Sequence, residues 1–278
     1  MKICLITLLL VPVLALGAEI DLGRKRVVAL DVGHTTVSPG AISATGHPEY
    51  EFNLRIAKLV ETRLRETGKI EPVVISSDKS RTLPERTRIA AERNADLFVS
   101  IHHDSAQDKY VEELEKERTE QKFAERFSGY SLFVSHKNPQ FEESLNLARR
   151  IGAAMRANGF HFAKHHAEAI RGENRSIIDP DAGVYAFDDL VVLKTATMPA
   201  VLVECGVIVN PKDEQALLDE KNQASIAAAI VRGIRDYFAR APLTPRVEPN
   251  VPIETSSPAP TRYPKPGTTV SPRSSRDN

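Results

Sequence analysis

The sequence has few cysteines, with only two in 278 residues. Cys4 lies in an apolar N-terminal segment that we expect to be removed, which would leave Cys205 alone in the mature chain. A single cysteine cannot form an intramolecular disulfide, so the stability of the fold must come from packing. Cys205 could act as a nucleophile, but the sequence implies no nearby base, and a small buried thiol is the simpler interpretation.

The sequence also lacks a net charge, because 37 Lys and Arg residues balance 37 Asp and Glu residues. Proteins that bind nucleic acid or anionic membrane surfaces usually carry an excess of positive charge. We therefore expect no nucleic-acid partner. No internal repeat is visible, which argues against a repeat architecture.

No apolar run is long enough to span a bilayer comfortably. The longest begins after Met1 and Lys2 and reads ICLITLLLVPVLALGA, ending in small residues. This pattern is typical of a secretory signal peptide, and we assign residues 1–18 to one, with an uncleaved anchor as the alternative. The mature chain would then be periplasmic or secreted, with no stable membrane insertion.

The C-terminal segment has almost no apolar periodicity. Residues 241–278 contain nine of the eighteen prolines, so we expect a disordered Pro/Ser/Thr-rich tail, with a spacer that threads the cell wall as the alternative. Between the two ends, residues 24–240 form one predicted domain, which is long enough to bury a core.

Apolar runs alternate with helical patterns through this domain. The predicted strands are 26–32, 72–76, 97–101, 130–135, 190–194 and 200–203, and the predicted helices are 48–68, 84–94, 106–127, 141–158, 212–220 and 222–239. This alternation predicts an α/β fold, a three-layer domain with a mostly parallel central sheet of about six strands flanked by helices. Residues 159–188 have no clear periodicity and form a predicted loop long enough to suggest a function.

Polar residues follow three of these strands. His34, His102 and Glu204 come after apolar runs, and ligands bind at the carboxyl ends of strands in open α/β sheets. Glu49 begins the next helix and can return to the same edge. Two imidazoles and a carboxylate form a three-ligand zinc site with one position left for water, and a further carboxylate could handle a proton. By spacing alone His103 competes with His102, since adjacent strand residues point to opposite faces.

The other polar residues near these strands have simpler interpretations. Asp104 either hydrogen-bonds an imidazole of the site or caps the end of its strand. We interpret the remaining histidines as surface or loop residues, with the last two as candidates for substrate contact: His47, His136, His161, His165 and His166.

Five separated blocks together resemble one known family. They are VVALDVGH (27–34), SPGAIS (38–43), PEYEFNLRIAKLV (48–60), ERTRIAAERNADLFVSIHHDS (85–105) and MPAVLVECGVIVNPKDE (198–214). In this order they resemble the zinc-dependent N-acetylmuramoyl-L-alanine amidases, often called amidase type 3. The likeness covers residues 26–239.

The resemblance implies a role for each candidate residue. His34, Glu49 and His102 would bind one Zn²⁺, which favours His102 over His103, and Glu204 would be catalytic. The implied reaction is hydrolysis of the amide bond between N-acetylmuramic acid and L-alanine of the stem peptide, so the partner would be peptidoglycan or a muropeptide. Whether a protein activator takes part is left open.

Two features depart from the family pattern. The family commonly has Gly-His-Gly-Gly, whereas Thr35 and Thr36 follow His34 here. The two threonines allow fewer backbone conformations than glycines would. Some division-associated relatives carry an inhibitory helix after the next strand, but the charged helix 106–127 precedes that strand. We therefore expect a solvated helix there, with a lid as the alternative.

Two other functions are compatible with the residues alone. A metal-free wall-binding module would recognise peptidoglycan without cutting it, although a degenerate amidase should have lost one of the four site residues. A zinc peptidase acting on other exported peptides would share the metal chemistry without needing the muramyl sugar.

Overall fold

The computed structural model describes residues 24–76, 81–105, 126–169 and 173–240. The predicted signal peptide, the predicted tail and nearly all of the predicted charged helix 106–127 lie outside the described residues, so those three predictions remain predictions.

The described residues form a sheet of seven strands. These are β1 (Arg26–Val32), β2 (Ile70–Ile75), β3 (Leu97–Asp104), β4 (Ser131–Val134), β5 (Ile177–Asp179), β6 (Val184–Ala186) and β7 (Ala200–Val207). Their order is β2-β1-β3-β7-β4-β6-β5, with four parallel pairs and antiparallel pairing only of β4 with β7 and of β5 with β6. The predicted α/β fold with a mostly parallel sheet is confirmed.

Helices cover both faces of this sheet. They are α1 (Glu49–Glu66), α2 (Leu83–Glu92), α3 (Phe141–Ala157), α4 (Val191–Thr195), α5 (Pro211–Leu218) and α6 (Glu220–Arg240), with one turn of 3₁₀ helix at His165–Ala167. None of the helices in the described ranges has the length and apolar character that crossing a membrane requires.

Alternation along the strands assigns side chains to the two faces. Leu97, Val99 and Ile101 of β3 belong to the larger core, under α1, α3 and α6. Phe98 of β3 and Leu202 of β7 belong to the smaller core on the opposite face, with residues of α2 and α4. The two cores confirm the three-layer architecture.

Two predictions about secondary structure are wrong. The segment Leu190–Lys194, predicted as a strand, falls at the helix α4. The N–H of Lys194 donates to the carbonyl oxygen of Leu190, which is a helical hydrogen bond. A five-residue apolar run fits a buried helical turn as well as a strand, so periodicity could not separate the two. The predicted loop 159–188 contains β5 and β6, each three residues long, so the seven strands are five predicted ones and two that were not predicted.

Candidate active site

The first element of the site is the turn after β1. Gly33 continues the sheet by donating its N–H to the carbonyl of Ile101, and His34 then takes a left-handed backbone conformation with φ of 65°. Thr35 is buried and closes the turn, because its N–H donates to Ser38 O at 3.0 Å and its hydroxyl accepts from Ser38 N at 2.9 Å. The threonine that departs from the family pattern thus stabilises the turn that presents His34.

The second element is the start of α1, which returns to the same edge. Glu49 is the first residue of the helix and is 4% exposed. Its Oε2 lies 2.9 Å from His34 Nε2, and its Oε1 lies 3.0 Å from His102 Nδ1. The rings of His34 and His102 are 5.0 Å apart between centroids. The predicted His34, Glu49 and His102 therefore meet at one point.

Ionised Glu49 is favoured at this position. Burial raises the pKa of a carboxyl group, but the hydrogen bonds and charges of His102 and His34 outweigh burial and hold the pKa of Glu49 below its ordinary value. The N–H groups of Ala41 and His103 also donate to its oxygens, at 3.2 and 3.3 Å.

Two glycines make room for the three side chains. A Cβ at Gly33 would lie 2.4 Å from His102 Nε2, and a Cβ at Gly40 would lie 2.4 Å from Glu49 Oε2 and 2.6 Å from His34 Cδ2. Gly40 also has φ of +83°, a conformation that disfavours any side chain. Both glycines are therefore required by the packing of the site.

His103 points to the other face of the sheet from His102. Its Nδ1 lies 2.7 Å from Asn53 Oδ1, and its ring packs 5.5 Å from that of Phe52 on α1. Burial lowers the pKa of His103 to about 3, so the ring is neutral at physiological pH. The same Asn53 donates to Glu49 Oε1 at 3.1 Å, which makes it a positioning residue for the carboxylate.

Glu204 lies beside His102 on the neighbouring strand. The two residues are register partners of β7 and β3, and Glu204 continues the face formed by Leu202. The sequence predicted that both residues follow their strands, but both strands continue past them, to Asp104 and Val207. The β3–β7 ladder pairs the two residues directly, and its register shifts only beyond them, between His102 and Asp104, so both side chains project from strand backbone rather than from a loop.

The environment of the Glu204 carboxyl group favours its protonated form. Burial raises its pKa well above the ordinary value, the charges of Asp104 and Glu49 add to this, and Arg175 opposes it. Its Oε2 is buried and has no hydrogen-bond partner within the described part of the chain. A buried carboxyl oxygen without a partner is costly, which marks Glu204 as a functional group.

A cleft of about 530 Å³ opens over these residues. His34, His102 and Glu204 line one part of it, and apolar side chains form another part. The apolar lining residues are Leu83, Phe133, Phe187, Leu190, Val191, Val192 and Leu202. The arrangement presents polar and titratable groups beside an apolar wall, as in most ligand sites.

Several other sequence predictions can be compared with the structure. His47, His136 and His161 are exposed, as predicted, and Cys205 is a buried free thiol. His165 and His166 were predicted as surface or loop residues, which is wrong, because they are only 0% and 5% exposed. Both lie against Asp104, which the sequence did not indicate, since Asp104 is more than 60 positions from both histidines and no strand pattern precedes them.

The cluster of His34, Glu49 and His102 fits a metal ion. Each residue offers one ligand atom, and these atoms all lie within 4.8 Å of one another. Two imidazole nitrogens and a carboxylate oxygen match the donors of catalytic zinc sites, which leave an open position for water or substrate. These features are those of a metallohydrolase built on an open α/β sheet.

Comparison with known proteins gives the family. The family model described as N-acetylmuramoyl-L-alanine amidase matches residues 28–236. The N-acetylmuramoyl-L-alanine amidase AmiA of Escherichia coli K12 is 31% identical over 242 residues, which cover 78% of this chain and 77% of that protein. The uncharacterized protein YqiI of Bacillus subtilis is 29% identical over 238 residues, covering 86% and 96%.

Solved structures agree with this result. An N-acetylmuramoyl-L-alanine amidase from Clostridium difficile 630 superposes with a TM-score of 0.61 at 25% identity, covering 78% of this chain and 99% of that one. The amidase AmiC2 of Nostoc punctiforme gives a TM-score of 0.58, also at 25% identity, with the same coverage. The chain belongs to the N-acetylmuramoyl-L-alanine amidase family, and the resemblance noted from the five sequence blocks is confirmed.

Proposed function

We propose that this chain cleaves the amide bond between N-acetylmuramic acid and L-alanine of peptidoglycan with one catalytic zinc ion held by His34, Glu49 and His102. Membership of the amidase family supports the reaction. The observation that carries the proposed site is the convergence of these three side chains beside Glu204, on two neighbouring strands and the turn and helix next to them.

A zinc ion at this position would polarise the scissile carbonyl as a Lewis acid and lower the pKa of a water in its open position to about 7. The positive charge of a zinc ion would offset the burial that favours protonated Glu204 and would favour its carboxylate form, which accepts a proton from the attacking water. Glu204 then delivers this proton to the nitrogen of L-alanine, because an amide nitrogen leaves far more readily as a neutral amine than as an anion. The C–N bond breaks, and the products are the lactyl carboxylate and a stem peptide with a free amino terminus.

The chain's other residues set up this chemistry. Asn53 holds Glu49, and Arg86 holds the backbone of His34 through a hydrogen bond to its carbonyl oxygen. The apolar wall of the cleft limits the access of water to Glu204 and keeps electrostatic interactions strong there.

The two alternative functions have less support. A wall-binding module without catalysis would not need a carboxyl oxygen, Glu204 Oε2, that is buried without a hydrogen-bond partner among the described residues, beside the metal-ligand cluster. A zinc peptidase acting on other exported peptides would share this cluster, but the family match favours the muramyl amide.

Digestion of purified muropeptides tests the reaction. The expected product is free stem peptide that begins at L-alanine, identified by mass spectrometry, and its formation should stop with a chelator and return with Zn²⁺. Peptide fragments cut between amino acids would identify a peptidase instead. Unchanged muropeptides that co-sediment with the protein would identify a binding module.

Substitution tests the roles of the residues. We expect Glu204→Gln to lower turnover by at least 10²-fold with metal still bound, since general acid–base catalysis contributes about 10²–10⁴-fold. Glu214→Gln is the matched control, because Glu214 is a buried glutamate that hydrogen-bonds Thr45 outside the site. Turnover of Glu204→Gln at the wild-type rate would overturn the assignment. A zinc content of His34→Asn or His102→Asn equal to that of the wild type would overturn the ligand set.

The substrate class supports a location outside the cytoplasmic membrane. We propose export by the signal peptide 1–18 to the periplasm or the medium, with the catalytic domain 24–240 followed by the tail 241–278. Mass spectrometry of the protein recovered from cell fractions tests this, with a mature N-terminus near residue 18 or 19 as the expected result. An intact Met1 in the membrane fraction would indicate an uncleaved anchor.

A further inference from the structure

A second cluster of metal-ligating side chains lies outside the catalytic set. Asp104 Oδ2 is 3.0 Å from His165 Nε2 and 2.8 Å from His166 Nε2. One ligand atom from each residue lies within 4.8 Å of the other two. The side chains are 11%, 0% and 6% exposed, so the cluster is buried.

Hydrogen bonds do not account for these contacts. Although these distances are short, neither ring nitrogen of His165 has a partner with hydrogen-bond geometry among the described residues. The same holds for His166 Nε2 and Asp104 Oδ2. Buried polar atoms without a partner are costly, so four of them in one place require an additional ion or water.

One ring nitrogen of His166 is hydrogen-bonded outside the cluster, and this bond determines which of its two nitrogens can bind a metal ion. His166 Nδ1 lies 2.9 Å from Glu173 Oε2, and donating its proton there leaves a lone pair on Nε2. That lone pair is then 2.8 Å from the carboxylate oxygen of Asp104, and two electron-rich atoms at this distance need a cation between them. A carboxylate behind a histidine is the usual outer partner of a metal-bound imidazole.

We propose that Asp104, His165 and His166 form a second metal site, which binds Zn²⁺ or a similar divalent metal ion. Two imidazole nitrogens and one carboxylate oxygen are the donors that zinc accepts. Ligand atoms on a tetrahedral zinc are separated by roughly 3.3 Å, so the spacings of 3.0 and 2.8 Å between Asp104 and the two histidines require outward shifts of only a few tenths of an ångström. Similar spacings, of 2.9 and 3.0 Å, separate Glu49 from its two histidines.

The surroundings support a tightly held ion. The ring of Phe127 lies 5.1 Å from that of His165, and the ring of Phe133 lies 4.9 Å from that of His166. An apolar shell keeps solvent from competing for the ion. The ion would join β3 to the 3₁₀ helix His165–Ala167, and so anchor a segment that has little regular secondary structure of its own.

A proton is the competing cation. Although burial lowers it, the charges of Asp104 and Glu173 raise the pKa of His166 to about 9, so that an imidazolium could bridge the two carboxylates. Protonation of His166 leaves His165 without a partner on either nitrogen, whereas a metal ion uses one nitrogen from each ring. Metal content distinguishes the two cations directly.

The test is the zinc stoichiometry of the full chain. The protein is stripped with a chelator, saturated with Zn²⁺, freed of excess metal by gel filtration and measured by elemental mass spectrometry. We expect two ions per chain in the wild type and one in His34→Asn. We also expect one in His165→Asn and none in the double variant. His136→Asn, which changes an exposed histidine paired with Asp188, is the matched control and should retain two ions.

Several outcomes would overturn the second site. They are saturation of the wild type at one ion together with loss of that ion in His34→Asn, or retention of two ions by His165→Asn. If His165→Asn fails to fold, Co²⁺ is titrated into His34→Asn, where one equivalent should bind with the visible absorption of a tetrahedral site. An absence of that absorption would also reject the proposal. Each variant removes one of the two clusters. Failure of the catalytic site and failure of the second site therefore give different numbers of zinc ions per chain.

Discussion

Arg86 holds the backbone of His34 in its left-handed conformation. Its Nη2 donates to the carbonyl oxygen of His34 at 2.5 Å, while its Nη1 donates to Asp31 at 2.8 Å. Asp31 is 1% exposed and also accepts from Ser100 on β3. A buried ion pair therefore connects α2, β1 and β3 to the residue that we propose as the first zinc ligand.

Arg86→Met should destabilise the fold by about 3–5 kcal/mol, because it leaves the carboxylate of Asp31 buried without its charge partner. Zinc affinity should fall as well, since the carbonyl of His34 loses its donor. Arg88→Met is the matched control, as Arg88 lies on the same helix in an exposed pair with Glu92, worth about 0.3–0.5 kcal/mol. Urea unfolding measures the free energy of unfolding of both variants. Equal losses of stability in the two variants would contradict the structural role of Arg86.

The packing of Gly40 gives a second prediction. Gly40 and Gly46 both have positive φ, so an alanine at either position should cost about 1–2 kcal/mol of stability. Only the added methyl group at Gly40 would reach Glu49 and His34, since nothing lies within 4 Å of a Cβ at Gly46. Zinc titration should therefore show weaker binding for Gly40→Ala and wild-type binding for Gly46→Ala. Equal zinc affinities in the two variants would show that the close approach at Gly40 is not needed.

The sequence was sufficient to predict most of the sheet, and it identified the residues that we propose as the catalytic set. Strands buried on both faces are continuous apolar runs, and the predicted ranges for β1 and the start of β3 and β7 agree with the structure. Period-2 alternation explains why His102 and Glu204 share a face, since they continue the positions of Phe98 and Leu202.

The remaining features depend on tertiary contacts that no local pattern encodes. The helix α4 and the strands β5 and β6 are three to five residues long, which is too short for periodicity to define them. The pairing of Arg86 with Asp31 joins residues 55 positions apart. The burial of His165 depends on Phe127 and Asp104, which are distant in the chain, and its neighbourhood has no helical or strand pattern.

Tyr130 gives a prediction about pH. Its hydroxyl lies 3.2 Å from the carbonyl oxygens of both Gly152 and Ala182, and burial raises its pKa to about 12. Because the folded pKa is above the unfolded value of about 10, this contribution to stability is fully present below pH 10 and is lost as pH rises through 12. Urea unfolding of wild type and Tyr130→Phe should give a difference of about 1 kcal/mol at pH 8 that shrinks between pH 10 and 12. A difference that does not change with pH would contradict the raised pKa.

Asn53 separates positioning of a metal ligand from general stability. It is fully buried, and its side-chain amide donates at 3.1 Å to both Glu49 Oε1 and the carbonyl of Gly33. We expect Asn53→Ala to lower zinc affinity by about 10–100-fold, the usual effect of removing a group that orients a metal ligand. Asn138→Ala is the matched control, because Asn138 is a buried amide that donates to three backbone carbonyls away from the site. Both variants should lose stability in urea, but competition with a chelator of known affinity should show weaker zinc binding only for Asn53→Ala. Equal zinc affinities would mean that Asn53 is not needed to position Glu49.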